Sequence, residues 1–75
     1  MIWNWITGNL CVLENAQGQT IGHISLGVAF WEAVIYTRLV PTPMMETLGD
    51  RFTKSSKAKM AVEDAVIVHP AALAA

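Results

Sequence analysis

The sequence gathers most of its positive charge into one short stretch. Four of the five basic residues of this 75-residue chain lie within nine positions: Arg51, Lys54, Lys57 and Lys59. At the start of a helix such cations oppose the helix dipole, which favours acidic groups there. A disfavoured placement indicates use, so we identify these four residues as a candidate basic patch for phosphates or for an acidic partner. A solvated face that keeps the domain soluble is the alternative interpretation.

Cysteine and histidine are the residues to weigh first for catalysis or metal binding. Cys11 and His23 lie on either side of a predicted turn, so a thiol and an imidazole can approach each other across it. No Gly-rich oxyanion or phosphate loop accompanies them, and Glu63 and Asp64, as neighbours on a helix, point in different directions. His69 is distant in sequence, and no two ligands have the close spacing of a metal site. We predict no enzyme activity, no metal and no cofactor.

Composition narrows the classes of protein to which the chain can belong. The net charge of −1 provides no global field that attracts nucleic acid. The chain is 53% hydrophobic, which in so small a domain predicts a dense core or an apolar face for a partner. A single cysteine forms no intrachain disulfide, and the opening residues MIWNWITGN lack the positive leader and cleavage site of a signal peptide. We predict a cytoplasmic protein.

One apolar run has to be considered as a membrane span. Residues 24–40 read ISLGVAFWEAVIYTRLV, which is short for a bilayer core and carries Glu32 near its middle. An acidic group at that depth is costly. We therefore predict no membrane association.

The first fifty residues have the composition of β-strands. Four segments are rich in β-branched, aromatic and large apolar residues, and two prolines precede the last of them. Asn15 and Gly18 suit a tight turn between the first two segments, which predicts a hairpin. The predicted strands are residues 9–14, 20–26, 30–37 and 44–48.

The pattern changes to a helical period at Thr53. Five apolar residues fall on one stripe of an α-helix over residues 53–66: Ala58, Ala61, Val62, Ala65 and Val66. Thr53 or Ser55 can cap its start, and Pro70 forces an end before it. The small alanines allow the helix to lie close to a sheet.

These elements predict an α+β fold. We expect an antiparallel β-sheet of three to five strands with one C-terminal α-helix packed on one face. The predicted single domain covers residues 1–70, and residues 71–75 form a disordered tail. The expected core consists of Trp31, Ala33, Ile35, Leu48, Phe52, Ala58, Ala61, Val62 and Ala65.

Alternation in the third strand predicts a surface for a partner. Trp31, Ala33 and Ile35 face the helix, so the opposite face is left with apolar and aromatic side chains where an antiparallel sheet is normally polar. The predicted partner-binding residues are Phe30, Glu32, Val34 and Tyr36. The partner is a protein of unknown identity, or a second copy in a homodimer. If the segment WNW is extended, Trp3 and Trp5 also share a face, and there we favour core packing or a protein interface over base stacking.

The second half of the chain carries a recognisable pattern. Its members are Trp31-x-Ala33-x-Ile35, then Leu48-Gly49, Phe52, Thr53, Ala58, Ala61 and Ala65. Over residues 30–66 it resembles the sheet plus helix of ethylene-response-factor DNA-binding domains and of the N-terminal domains of phage-type integrases. It also looks like small phage and mobile-element proteins built on that plan.

The sequence departs from that family in two respects. Asp50 and Arg51 separate Gly49 from Phe52 where those domains usually have one residue, so we predict a bulge. Those domains read the major groove with arginines and tryptophans projecting from the sheet, whereas no arginine precedes Arg38 here. The resemblance therefore implies the fold, and DNA recognition is not carried over.

Three functions follow in order. The first is a small non-enzymatic protein-binding module of phage or mobile-element type. The second is a nucleic-acid-binding domain that uses the basic start of the helix, with affinities in the non-specific range. The third is an enzyme built on Cys11 and His23.

Overall fold

The computed structural model describes residues 1–39 and 41–68. They form an antiparallel sheet with one helix on it, which confirms the predicted α+β class. The predicted helix stop at Pro70 and the predicted tail over residues 71–75 lie outside the described residues, as do Val40 and His69. The elements are β1 (Ile2–Thr7), β2 (Leu10–Glu14), β3 (Thr20–Leu26), β4 (Trp31–Arg38), β5 (Met44–Phe52) and α1 (Ser55–Val68).

The sheet is a meander in which each strand pairs with the next. Its order is β1-β2-β3-β4-β5, and all four pairings are antiparallel. The segment WNW is extended within β1, where Trp3 pairs with Leu13 and Trp5 with Cys11. Short connections hold neighbouring strands together, because an antiparallel pair needs only a tight turn. The order leaves β1 and β5 as the two edges.

The predicted hairpin between β2 and β3 is confirmed, and Asn15 organises its turn. The Asn15 side chain is buried, and its Oδ1 accepts hydrogen bonds from the backbone N–H groups of Gln17 and Gln19, both at 3.0 Å. Gly18 has φ of 79°, a left-handed conformation that favours glycine. One side chain therefore satisfies the backbone donors that the turn would otherwise leave open.

Replacing this side chain tests its role in the turn. We expect Asn15→Ala to lower the free energy of unfolding by about 2 kcal/mol, because two backbone donors lose their acceptor. Asn15→Asp keeps the acceptor oxygen and removes only the donor of the hydrogen bond from Asn15 Nδ2 to Gln19 Oε1 at 3.0 Å, so it should lose less stability than Asn15→Ala. Urea denaturation followed by circular dichroism measures both variants, and equal losses in the two would show that the acceptor is not what stabilises the turn.

The helix lies close to the sheet because β3 carries a glycine beneath it. Ala58, Val62 and Val66 are the buried helix residues. A Cβ atom at Gly22 would lie 2.6 Å from Val62 Cγ1 and 3.1 Å from the Val34 carbonyl oxygen. Real Cβ atoms do not approach so closely, so the Val62 side chain can pack on β3 here only because residue 22 has no side chain.

The core is only partly the predicted one. Ala33, Ile35, Ala58 and Val62 are fully buried as predicted. The other predicted core residues are half-buried and pack against its border: Trp31, Leu48, Phe52, Ala61 and Ala65. The rest of the core comes from β2, β3 and the end of the helix, from residues outside the predicted core: Cys11, Leu13, Ile21, Ile24 and Val66.

The predicted bulge before Phe52 is confirmed. Trp31 pairs with Phe52 and Ala33 with Gly49, so Asp50 and Arg51 together oppose a single residue of β4. The extra residue lets Phe52 fold back over Gly49, where a Cβ atom would lie 2.9 Å from the ring. Strand β5 consequently runs to Phe52 rather than ending at residue 48, and the helix starts at Ser55 rather than at residue 53.

Candidate binding surfaces

The sheet has one covered face and one open face. The helix packs on β3, β4 and β5, on the side that carries Ile24, Ala33 and Ile35. Because strand side chains alternate and paired residues share a side, the opposite side is fixed by the register. We call this side the open face; its central row is Val12, His23, Val34 and Thr47.

Three of the four predicted partner-binding residues lie on the open face. Glu32, Val34 and Tyr36 follow the alternation of β4, whereas Phe30 precedes the strand and lies in the turn before it. The predicted exposure of Val34 is wrong, because its exposed fraction is 5%. The His23 and Tyr36 rings meet edge to face beside it, with centroids 6.4 Å apart. Among the described residues the helix packs on the other side of the sheet, so Val34 is buried here beside its strand partner His23 and not by the helix.

His23 is the titratable group at the centre of the open face. Burial lowers the pKa of its imidazole from the ordinary value of 6.5, and the negative charge of Glu32 opposes that shift. A lowered pKa in the folded protein means that the unfolded chain takes up the proton first as the pH falls. The stability that His23 contributes through this linkage is therefore fully present above pH 6.5, and it is lost as the pH falls toward the lowered pKa of the folded protein.

This linkage gives an expected pH dependence. We expect the thermal midpoint of the wild type to decrease as the pH falls from about 7 to about 5.5, and the same change in His23→Gln to be smaller, because an amide does not titrate in that window. Melts followed by circular dichroism at constant ionic strength measure the difference. Identical pH profiles for the two proteins would contradict it.

The β3–β4 turn forms an apolar tip with two acids beneath it. A depression of about 460 Å³ lies here. Val28 is fully exposed and Phe30 is 38% exposed, while Gly27 N–H donates to the Phe30 carbonyl at 2.9 Å. The depression is lined by Ser25, Leu26, Gly27, Val28, Ala29, Phe30, Glu32 and Asp50. Sequence reasoning missed this site, although a turn that exposes valine instead of polar residues is itself a signal.

A cluster of tryptophans surrounds one of the cations on the helix side. Lys59 Nζ lies 4.8 Å from the centroid of Trp5 and 5.5 Å from that of Trp3. Trp5 packs edge to face against Trp31 at 5.8 Å, and Trp3 Nε1 donates to Glu63 Oε2 at 3.1 Å. Lys59 and Glu63 are four residues apart, so they project from the same side of the helix.

The four residues of the basic patch do not occupy equivalent positions. Arg51 belongs to β5, where its guanidinium lies 5.9 Å from the Phe30 ring and 4.0 Å from the Asp50 carboxylate. Lys54 precedes the helix and is exposed, as is Lys57 in its first turn. Lys57 and Lys59 are two residues apart, which places them about 200° apart around the helix. Two members of the patch, Arg51 and Lys59, therefore contact aromatic rings, and the other two, Lys54 and Lys57, are exposed to solvent.

The thiol and imidazole of the enzyme hypothesis point away from each other. Cys11 pairs with Ile24 on the helix side, whereas His23 pairs with Val12 on the open face. Cys11 is fully buried, and this burial raises the pKa of its thiol, although Lys59 opposes the shift. Cys11 and His23 therefore cannot act together as nucleophile and base.

Two further properties concern the part of the chain that the structure describes. Within it, no group of three or more His, Cys, Asp or Glu side chains is placed to hold a metal ion. None of its helices has the length and apolar character needed to cross a membrane.

The resemblance to DNA-binding and mobile-element domains rests on residues 30–66 of the sequence. The chain matches no protein-family model, no curated protein and no solved structure.

Proposed function

We propose that this chain is a small non-enzymatic protein-binding module of phage or mobile-element type that acts in the cytoplasm by binding a host protein. The observation that supports this most directly is the open face. Within the described residues the helix covers the opposite side, and no further layer lies over the half-buried Glu32 and Tyr36. An uncovered apolar and aromatic surface is a feature of protein interfaces.

The chemistry of this surface indicates the kind of partner. Tyr36 and His23 offer ring surfaces, and Glu32 connects the open face to the depression at the β3–β4 turn, where Asp50 adds a second carboxylate. Val28 and Phe30 stand exposed beside them. A partner segment that combines apolar side chains with a lysine or arginine complements this arrangement, because buried aromatic contacts contribute most of the affinity and charge complementarity fixes the orientation.

Variants on and off the surface test the proposal. The immobilised wild type captures its partner from a host extract, and the captured protein is then purified and titrated by calorimetry. We expect Tyr36→Ala or Glu32→Lys to weaken binding by about tenfold or more. Lys57→Ala alters an exposed helix residue away from the open face and should leave the affinity unchanged. Unchanged binding by both open-face variants would exclude this surface.

A second function is favoured by the contact of Lys59 with the tryptophans. Single-stranded nucleic acid is bound by aromatic side chains on which bases stack, next to cations that hold the phosphates. Trp5 is 49% exposed and lies beside Lys59, so one base and one phosphate can be accommodated here. This proposal ranks below the first because Lys57 and Lys59 lie about 200° apart around the helix, so the four cations do not all lie on one surface.

The salt dependence of binding distinguishes the two functions. Four phosphate contacts would give a slope of log affinity against log salt of about −3.6 for duplex DNA, reduced by about 0.9 for each Lys→Ala change. We expect no binding tighter than roughly 10⁻⁴ to 10⁻⁶ M at physiological salt, since net charge is −1. Fluorescence anisotropy with labelled duplex and single-stranded oligonucleotides measures both quantities. Nanomolar, sequence-selective binding would place the nucleic-acid function first.

A further inference from the structure

The two edges of the sheet differ in how they are protected against pairing. Strand β5 has bulges along its length and carries Glu46, Asp50 and Arg51, which are features that natural proteins use to block edge pairing. Strand β1 has the sequence IWNWIT, with no charge and no proline. Its one irregularity concerns the pairing with β2, in which Ile6 has no partner. The outer edge of residues 2–6 pairs with no strand of the described residues and is thus an open template for another strand.

The side chains of β1 are as exposed as its edge. Ile2, Trp5 and Ile6 have exposed fractions of 65%, 49% and 60%. The helix packs on β3, β4 and β5, and it meets β1 through the long side chains of Lys59 and Glu63. A strand added next to β1 would therefore meet no element of the described residues and would cover apolar surface on both sides of the sheet.

The sequence of β1 specifies which strand fits there. Residues 2–6 read IWNWI, which is the same in both directions about Asn4. When two copies pair antiparallel about a two-fold axis at Asn4, Ile2 faces Ile6 and Trp3 faces Trp5 of the other copy, and Asn4 faces itself. Tryptophan thus pairs with tryptophan and isoleucine with isoleucine across the two strands, and aromatic and β-branched pairs of this kind are favourable.

We propose that β1 pairs with β1 of a second copy of this chain in this register. The product is a two-fold dimer with one continuous ten-stranded sheet, in which four tryptophans meet between the two Lys59 side chains. Five residue pairs make a small interface, so the association is of the weak class. The proposal uses the edge and does not depend on a partner for the open face, but the dimer places two open faces side by side and doubles the surface offered to that partner.

Cysteine crosslinking tests the register. In the proposed dimer residue 4 faces residue 4, and paired residues in antiparallel strands have Cα atoms about 4.5 to 5.5 Å apart, within reach of a disulfide. We expect Asn4→Cys to form a covalent dimer on mild oxidation. Ile2→Cys is the matched control, because its two copies lie about 14 Å apart in this register. A mixture of Ile2→Cys and Ile6→Cys should crosslink, while the buried Cys11 leaves the wild type as an unreacted background.

Analytical ultracentrifugation of the wild type tests the association itself. We expect a mass that rises from 8.2 kDa toward twice that value over roughly the upper micromolar range. If Asn4→Cys is unfolded by circular dichroism, the mixture of the position 2 and position 6 variants decides the register alone. A monomeric wild type at about 1 mM, or crosslinking by Ile2→Cys alone as strong as that of the designed pairs, would overturn the proposal. Partner binding by the Tyr36 and Glu32 variants is measured separately, so the two proposals can fail independently.

Discussion

Gly22→Val is expected to lower the free energy of unfolding by about 3 kcal/mol or more, which is a large part of the stability of so small a domain. The Cβ atom alone would lie 2.6 Å from Val62 Cγ1, and the Val34 carbonyl at 3.1 Å prevents the side chain from turning away. Neither neighbour can move cheaply, since Val62 is fully buried and the carbonyl belongs to the central strand β4. The helix must therefore lift from the sheet or the strand must distort.

Gly8→Val is the matched control for this change. A Cβ atom at Gly8 meets nothing within 4 Å and its φ is not positive, so its cost should stay within about 1 kcal/mol. The double variant of Gly22→Ala with Val62→Ala should lose less stability than the sum of its parts, because the smaller helix residue makes room. Urea denaturation monitored by tryptophan fluorescence gives all the values. Strict additivity in the double variant would show that Val62 is not what Gly22 accommodates.

The order of elements was predictable because it depends on local pattern. The change from strand composition to a period of 3.6 at residue 53 identified the helix, and its stripe of Ala58 and Val62 is the buried one. The missed core residues Leu13 and Ile24 depend on something non-local, namely which strands the helix crosses. Nothing in the composition of 9–14 and 20–26 tells which of two alternating faces a distant helix will cover.

The candidate binding surfaces were predictable to a similar extent. Alternation along β4 placed Glu32, Val34 and Tyr36 on one face, which the register confirms. Val34 pairs with His23 of another strand, and no local signal in the sequence predicts which residue will lie beside it. The contact of Lys59 with Trp5 joins residues 54 positions apart, so the sequence could not show that the tryptophans near the start of the chain have a cation beside them.

Ile35→Ala is expected to lower the free energy of unfolding by about 4 kcal/mol. Ile35 has no exposed surface, pairs with Gly22 in the sheet and belongs to the core cluster under the helix. Truncation at this point removes three carbon atoms from a site whose neighbours are held by the strand on one side and the helix on the other. A cavity therefore remains, and its cost adds to the lost transfer free energy. Ile6→Ala, at a strand position that is 60% exposed, should cost less than about 1 kcal/mol.

The residue next to Ile35 turns this measurement into a test of function. Tyr36 follows it in β4 but projects from the open face. Two adjacent residues of one strand therefore belong to the core and to the proposed interface, respectively. Ile35→Ala should reduce stability and leave the affinity of the folded fraction for the partner unchanged, whereas Tyr36→Ala should weaken binding by the folded fraction. Calorimetric titration at a temperature where both variants are folded separates the two effects. If Ile35→Ala weakened binding as much as Tyr36→Ala did, the partner would be recognising the docked helix and not the open face.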